Sequence, residues 1–307
     1  MKIDIIVDKD SMIKRTLFFA NAVCLTTRNK QLVIKNKESQ EEKTVPIEDI
    51  GFVVIENQQI YVSIPAITEL TKNNVSVIFC DEKHMPLSMN LPLECNSIQN
   101  QLFSAQIEST LPTKKNCWKQ IIEQKINNQA LVLEKYGHNP NHLKNISKDV
   151  KSDDSTNREG FAAKIYWDSI FGKNWNRNRF GEYPNNYLNY GYAILRAGMA
   201  RAIVGSGLLP TLGIHHHNKY NAYALADDLM EPYRPFVDDM VIEYIDKNPN
   251  KLEIEQDFKS FIFSIMTRDT FMNNNRHPFM VALTFTSSSL SKVFLGKTKN
   301  LSLPEFT

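Results

Sequence analysis

The apolar residues of this chain change their spacing near residue 90, and that change limits the possible folds more than any other feature. Up to about residue 85 they form short β-rich runs separated by polar turns, as in Thr16–Leu25 and Gln31–Lys35, with the turn at Arg28-Asn29-Lys30. From Ile98 onward they recur every three or four residues, which is the spacing of one helix face. The sequence therefore predicts an α+β fold.

The predicted domain boundary lies in the segment 86–97, which carries two prolines and little periodicity. We expect residues 1–85 to form a small β-rich domain, 86–97 a linker and 98–307 a larger all-α domain. Seven helices are expected in the larger domain, at Ile98–Ser109, Lys115–Tyr136, Glu159–Phe171, Tyr187–Ser206, Asn221–Ile245, Phe258–Phe271 and Pro278–Leu295. The polar residues 137–157 are expected to form a loop or hairpin.

Several classes of protein are disfavoured by what the sequence lacks. No run of 18 apolar residues is present, which disfavours a transmembrane helix, and the N-terminus has no apolar core of signal-peptide length. No glycine-rich loop follows a predicted strand, which disfavours a nucleotide-binding domain. Cys24, Cys80, Cys95 and Cys117 form no close pair, as expected of idle thiols in a reducing cytosol. These features predict a cytoplasmic protein.

The distribution of charge says more than its total, which is +2. Residues 140–220 carry 11 Lys and Arg against 6 Asp and Glu, whereas residues 221–257 carry 3 against 10. A basic stretch followed by an acidic one is typical of a phosphate-binding surface beside a carboxylate metal site. A salt-bridged fold without such a site has the same pattern.

Two of the three candidate chemical positions are a glutamate and a run of histidines. Glu159 falls in the first turn of a predicted helix capped by Asn157, where an acid is also favoured by the helix dipole alone. His215, His216 and His217 follow a turn, and at most two of them can face one metal. The alternative is a polar loop whose histidines only form hydrogen bonds.

The third position is the acidic segment ALADDLMEPYRPFVDD. Asp228 and Glu231 are three residues apart and share a face if the segment is helical. Arg234 would lie beside Glu231 and could neutralise it without any metal. Pro232 and Pro235 should kink the helix here. One imidazole and two carboxylates would suit Mn²⁺ or Mg²⁺, so the pattern points to a metal-dependent phosphodiester enzyme.

Three long segments resemble, in order and spacing, the core of the universal CRISPR-associated integrase family: NREGFAAKIYW, YLNYGYAILRAGMARAIVGSGLLPTLGIHHHN and LADDLMEPYRPFVD. Three N-terminal segments are similar to that family, especially its type II branch: RTLFFANAVCLTTRNKQLVIK, TVPIEDIGFVVIENQQI and NNVSVIFCDEKHMPLSMN. The resemblance covers nearly the whole chain. It implies a β domain followed by a helical catalytic domain, which agrees with the periodicity.

The resemblance also implies which residues act. Glu159, His216 and Glu231 match the family's metal ligands and catalytic residues, because they fall on its EG-x-AA, Gly-x-x-His and DL-x-E-P-x-RP motifs. Asp228 remains an alternative ligand or a partner of one. Asn189 is implied to lie beneath the site, where it could orient a ligand. The roles of His215 and His217 stay open.

The implied reaction is a direct transesterification on DNA. The 3′-hydroxyl of a short foreign duplex attacks a phosphodiester at the end of a CRISPR repeat, with Mg²⁺ or Mn²⁺ as the working ion. A small second CRISPR-associated protein is implied to bridge two dimers. We expect non-specific phosphate contacts with the duplex from Lys173, Arg177 and Arg179.

A homodimer is predicted to form through residues 1–85. The strands at the edges of so small a β domain need covering, and a two-fold pair covers them. The apolar runs Leu17–Leu25 and Gly51–Ile55 also exceed what the domain needs for its own core. An internal contact with the helical domain is the alternative.

Three other functions remain possible for the same residues. One is a metal-dependent nuclease that only cuts branched DNA. A second is a non-catalytic DNA-binding scaffold in which the acids pair with arginines. The third is a zinc hydrolase that uses two of the three histidines.

Overall fold

The computed structural model describes residues 4–6, 14–37, 39–82, 84–94, 96–178 and 181–307. The chain divides into two compact units. The N-terminal unit consists of Met1–Cys95 together with Gln256–Thr267, and the C-terminal unit consists of Asn96–Glu255 together with Arg268–Thr307. A β-rich region followed by a helical one confirms the α+β prediction.

The strands are β1 (Asp4–Ile6), β2 (Arg15–Phe19), β3 (Val23–Arg28), β4 (Gln31–Asn36), β5 (Glu42–Pro46), β6 (Ile50–Ile55), β7 (Tyr61–Val62), β8 (Ser76–Cys80), β9 (Pro86–Asn90), β10 (Asp269–Met272) and β11 (Asn275–Pro278). The helices are α1 (Ile64–Lys72), α2 (Gln99–Ile107), α3 (Leu111–Lys135), α4 (Asn141–Lys148), α5 (Arg158–Phe171), α6 (Asn185–Gly205), α7 (Ala224–Leu229), α8 (Arg234–Lys247), α9 (Gln256–Phe263) and α10 (Phe279–Phe294).

Two sheets form the N-terminal unit. The first has the order β1-β2-β6-β8-β9, with parallel pairing in the middle and antiparallel pairing at both edges. The second has the order β5-β4-β3-β7. Asn29 and Lys30 both have positive φ, as the two-residue turn between β3 and β4 requires, so the predicted polar turn is confirmed.

The core of this unit takes up the apolar runs that we had expected to face a partner. Leu17 and Leu25 of the first run, and Val53 and Ile55 of the second, lie in one buried cluster. All five residues from Gly51 to Ile55 are buried in the isolated chain. The argument that these runs exceed the needs of the domain was therefore wrong, because a strand in the middle of a sheet is covered on both faces.

The predicted boundaries differ from the structure in two places. Residues 86–90 form the edge strand β9, so part of the expected linker belongs to the first sheet. The expected helix Phe258–Phe271 ends at Phe263, and α9 belongs to the N-terminal unit. There Lys259 forms a buried ion pair with Glu56, and the Phe263 ring lies 5.5 Å from that of Phe18.

The C-terminal unit is built on the long helices α3 and α6. It also contains a β10–β11 hairpin that we had not predicted. The expected helix Asn221–Ile245 is interrupted at Glu231–Tyr233 by a 3₁₀ turn, which confirms the kink expected from two prolines. Residues 137–157, expected to be a loop or hairpin, contain α4. No helix among the described residues has the length and apolar character needed to cross a membrane.

Candidate active site

The start of α5 is held by two side chains that precede it. Asn157 accepts a hydrogen bond from Gly160 N, which confirms it as the N-cap. The Asp154 carboxylate accepts from Arg158 N at 2.8 Å and from Glu159 N at 2.9 Å. These bonds satisfy amides that a helix start leaves free, so the backbone of Glu159 is fixed.

Asp228 holds the histidine loop. This carboxylate is fully buried and accepts hydrogen bonds from the backbone nitrogens of Ile214, His215 and His216, at 2.6, 3.0 and 3.2 Å. It also lies 2.5 Å from His216 Nδ1. A Cβ at Gly213 would lie 2.4 Å from the His216 carbonyl oxygen, so the tight loop requires glycine there.

The three histidines have different surroundings. His215 stacks on Trp118 with ring centroids 4.2 Å apart and pairs with Asp153 at 3.3 Å. His216 meets Trp118 edge-on. His217 lines a cavity of about 720 Å³ that also borders His216, and all three histidines are exposed. The hydrogen bond to Asp228 raises the pKa of His216; burial opposes this shift, and the charges of Asp228 and Glu231 add to it.

Lys125 joins the two candidate glutamates. Its Nζ lies 2.5 Å from Glu159 Oε1 and 2.5 Å from Glu231 Oε2, so the two oxygens lie within twice that distance of each other. Arg234 Nε is 2.8 Å from the other oxygen of Glu231. The arginine pairing considered from the sequence is therefore present, and a second cation is shared with Glu159.

The sequence analysis missed Lys125, although a signal was present. The residue falls between Ile122 and Ile126 on the helix face that α3 buries, where a cation needs a partner. Burial lowers the pKa of Lys125, but the charges of Glu159 and Glu231 outweigh it and the net shift is upward. Burial likewise opposes ionisation of Glu231, yet Arg234 and Lys125 bring its pKa below the ordinary value. The charged forms of Lys125 and Glu231 are therefore favoured.

A cavity of about 360 Å³ adjoins this cluster and is lined by Lys125, Arg177, Arg234, Trp167, Trp175 and Asp238, among others. Burial raises the pKa of Asp238 to about 7, opposed by its hydrogen bond from Tyr192 and by the nearby arginines. With Lys164, four cations and two indole rings line this cavity, and they are suited to the phosphate and the base of a nucleotide.

The other residues singled out from the sequence lie in different surroundings. Lys173 is exposed. Arg177 donates to Asn185 Oδ1 at 2.9 Å and to Asn189 Oδ1 at 2.6 Å, so Asn189 braces an arginine of the cavity. Arg179 lies outside the described residues, as does Cys95. The other three cysteines are free thiols.

The structure brings some of the predicted ligands together. Glu159 and Glu231 meet at Lys125, whereas His216 is bonded to Asp228. In the part of the chain that the structure describes, no three His, Cys, Asp or Glu side chains are close enough to hold a metal as they stand.

The comparisons with known proteins agree on one family. The family described as CRISPR associated protein Cas1 matches residues 17–274. The CRISPR-associated endonuclease Cas1 of Neisseria meningitidis serogroup C (strain 8013) is 32% identical over 294 residues, which are 95% of this chain and 96% of that protein.

Solved structures share the fold. A casposase bound to integration product has a TM-score of 0.78 at 22% identity, covering 94% of this chain and 92% of that one. A chain of a Cas6-RT-Cas1–Cas2 complex has a TM-score of 0.74 at 19% identity, covering 95% of this chain and 36% of that one. The family match spans most of the chain and the Neisseria relative spans nearly all of it. This chain therefore belongs to the CRISPR-associated Cas1 family.

Proposed function

We propose that this protein is a divalent-metal-dependent DNA integrase of CRISPR spacer acquisition. It joins the 3′-hydroxyl ends of short foreign DNA to the ends of CRISPR repeats. The observation that carries the proposal is the convergence of Glu159 and Glu231 on one buried cation, next to a cationic, indole-lined cavity. The relative in Neisseria is named an endonuclease, and a protein of the same fold is bound to an integration product.

Two of the three proposed ligands, Glu159 and Glu231, already converge in a way that fits a divalent cation. The ammonium of Lys125 lies between the carboxylates of Glu159 and Glu231, where a metal ion would lie. The two carboxylates supply the oxygen ligands that Mg²⁺ and Mn²⁺ prefer. Glu159, His216 and Glu231 would hold the ion, with Asp228 orienting the imidazole through Nδ1. When bound, the ion would polarise the scissile phosphate and stabilise charge on the leaving oxygen.

The chemistry is an exchange of phosphodiester bonds. The incoming O3′ bonds to a phosphorus at the repeat end while the O3′ that this phosphorus carried is released and protonated. No energy cofactor is consumed, because one ester replaces another. The side chains Arg177 and Arg234 face the cavity, where they would neutralise phosphate charge and position the strand.

An integration assay tests this function. The protein is incubated with its small CRISPR-associated partner, a labelled short duplex and a plasmid that carries a leader and repeat. We expect label to join the repeat ends, and no joining when the duplex ends in 3′-dideoxynucleotides. Cleavage of branched DNA without any joined product would favour the nuclease alternative instead.

The histidine run provides a graded prediction. His216→Ala should lower integration by about 100-fold or more, because a ligand of the ion is lost. His215→Ala should be milder, since that ring stacks on Trp118 and pairs with Asp153. His217→Ala, whose ring lines the cavity of about 720 Å³, should also be milder than His216→Ala. Initial integration rates of the three variants decide the order, and a larger loss for His215→Ala would shift the assignment by one residue.

DNA binding should weaken steeply with salt despite the small net charge. Replacing the exposed Lys173 by glutamate should flatten the slope of log K against log salt by about 0.9 for a lost phosphate contact. Arg177 is a poorer probe because it also braces Asn185 and Asn189. Lys72→Glu, in the N-terminal unit, changes the net charge equally and should leave the slope unchanged. Equal slopes for the two variants would show that DNA does not contact Lys173.

We also propose that the protein forms a homodimer through its N-terminal unit and acts with a small second CRISPR-associated protein. The solved complex named for Cas1 and Cas2 supports the second partner. Tyr61 and Ile64 are 67% and 73% exposed on the N-terminal unit, and such apolar side chains suit an interface. Light scattering should show a dimer that Ile64→Glu dissociates. Leu252→Glu, at an exposed position of the C-terminal unit, should not dissociate it. A monomeric parent would contradict the proposal.

A further inference from the structure

Lys125 occupies the place where the proposed function requires a metal. Its Nζ is 2.5 Å from an oxygen of each of two glutamates that we assign as ligands, and the lysine side chain is only 10% exposed. An ammonium this close to both carboxylates cannot remain while a divalent cation binds the same oxygens, because like charges would be in contact.

The Lys125 side chain has space beside it into which it can rotate. It already lines the cavity of about 360 Å³, together with Arg177 and Arg234. A lysine side chain is long and flexible, so rotation about its own bonds can move the ammonium from the carboxylates into this space. With the two arginines it would then face any phosphate in the cavity.

We propose that Lys125 is a resident counter-ion which leaves the glutamates when a divalent metal binds and then contacts a DNA phosphate in the cavity. The inference rests on the proposed function, since it takes Glu159 and Glu231 as metal ligands. In the metal-free protein the lysine, together with Arg234, balances the charges of the two carboxylates. Metal binding frees the Lys125 ammonium to contact DNA. The metal therefore raises the affinity for DNA, and DNA raises the affinity for the metal by the same factor.

The first part of the proposal, that Lys125 competes with the metal for the two glutamates, is tested by metal affinity measured without DNA. Mn²⁺ binding is followed by the loss of the free-ion EPR signal for the unaltered protein, for Lys125→Met and for Lys119→Met. Lys119 lies on the same helix, paired with Glu123 at 3.5 Å, and is the matched control. Removing the competing ammonium should tighten Mn²⁺ binding by about tenfold or more, the scale on which groups around a metal change its affinity. The control should bind as the parent does.

The outcomes separate the two proposals. Equal or weaker Mn²⁺ binding by Lys125→Met, with normal binding by the parent, overturns the role of Lys125 alone, because the lysine would then organise the ligands without competing. If none of the three proteins binds Mn²⁺, the proposed metal site falls together with this inference.

The second part of the proposal, that the released lysine contacts a DNA phosphate, is tested on the unaltered protein. This test does not depend on whether a variant folds. The salt dependence of binding to a short duplex is measured with and without Ca²⁺ at micromolar concentration. Ca²⁺ should steepen the slope of log K against log salt by about 0.9, since one more cation reaches a phosphate. Lys125→Gln, which lacks the charge, should not show the increase. A slope that Ca²⁺ leaves unchanged in the parent overturns the proposal.

Discussion

Replacing Glu159 by glutamine should reduce integration by about 1000-fold or more, on the basis that a bound metal contributes several kcal/mol to transition-state stabilisation. The substitution keeps the size of the side chain and its place in the first turn of α5, where the backbone is held by Asp154 and Asn157. The expected loss is therefore chemical, with little change in the cooperative unfolding of the protein. Measured integration rates and thermal unfolding curves check both parts.

The matched control is Glu123→Gln. Glu123 is a partly exposed glutamate that pairs with Lys119 on α3, so its loss should cost little. A Glu159→Gln protein that integrates within about tenfold of the parent would contradict a ligand role for this carboxylate. That result would favour the scaffold alternative, in which the acids only pair with cations such as Lys125 and Arg234.

Replacing Asp228 by alanine should affect stability as well as activity. Three backbone amides of the histidine loop and the His216 ring would lose their acceptor at a fully buried position. Donors left unsatisfied in this way, at a charged acceptor, cost about 3 to 5 kcal/mol in total. We expect a marked drop in Tm and no measurable integration, because His216 is no longer held.

A second variant separates the two effects. Asp228→Asn keeps one acceptor oxygen and the shape of the side chain, so it should retain more stability than alanine while still misorienting His216. Asp246→Asn, at an exposed position on α8, is the control and should resemble the parent. Full integration by Asp228→Asn would show that the carboxylate does not orient the imidazole.

The change from a β-rich to a helical region along the chain was predictable because it depends on local spacing. Residues that pack on a sheet alternate or cluster in short runs, whereas those on a helix face recur at three and four positions, and each pattern can be seen within a short window. The α3 and α6 helices and the kink before Arg234 follow from such windows.

The partners of an element could not be predicted in the same way. Helix α9 has an apolar face that would suit either unit, and it is paired with the N-terminal unit by Lys259 and Glu56, which are 203 positions apart. The hairpin β10–β11 did carry a local signal. Asn273 and Asn274 both adopt positive φ, as a two-residue hairpin turn requires. We placed them between two predicted helices and extended the first helix to Phe271, over most of β10.

The site shows the same contrast. Its three candidate ligands were proposed from motifs, which left Asp228 open as an alternative to Glu231. In the structure Asp227 pairs with Arg196, while Asp228 holds the histidine loop. Lys125 was missed because a lysine in a helical sequence is normally solvated, and only the tertiary structure places two carboxylates around it.

The most direct test of the central claim is the anomalous scattering of Mn²⁺ in crystals of the unaltered protein. The account predicts one peak for each chain, bonded to Glu159, His216 and Glu231 at about 2.2 Å, in the range for hard divalent ions with oxygen ligands. The absence of any peak within reach of these three side chains would contradict it. So would a peak held by another set, such as Asp227 and Asp228.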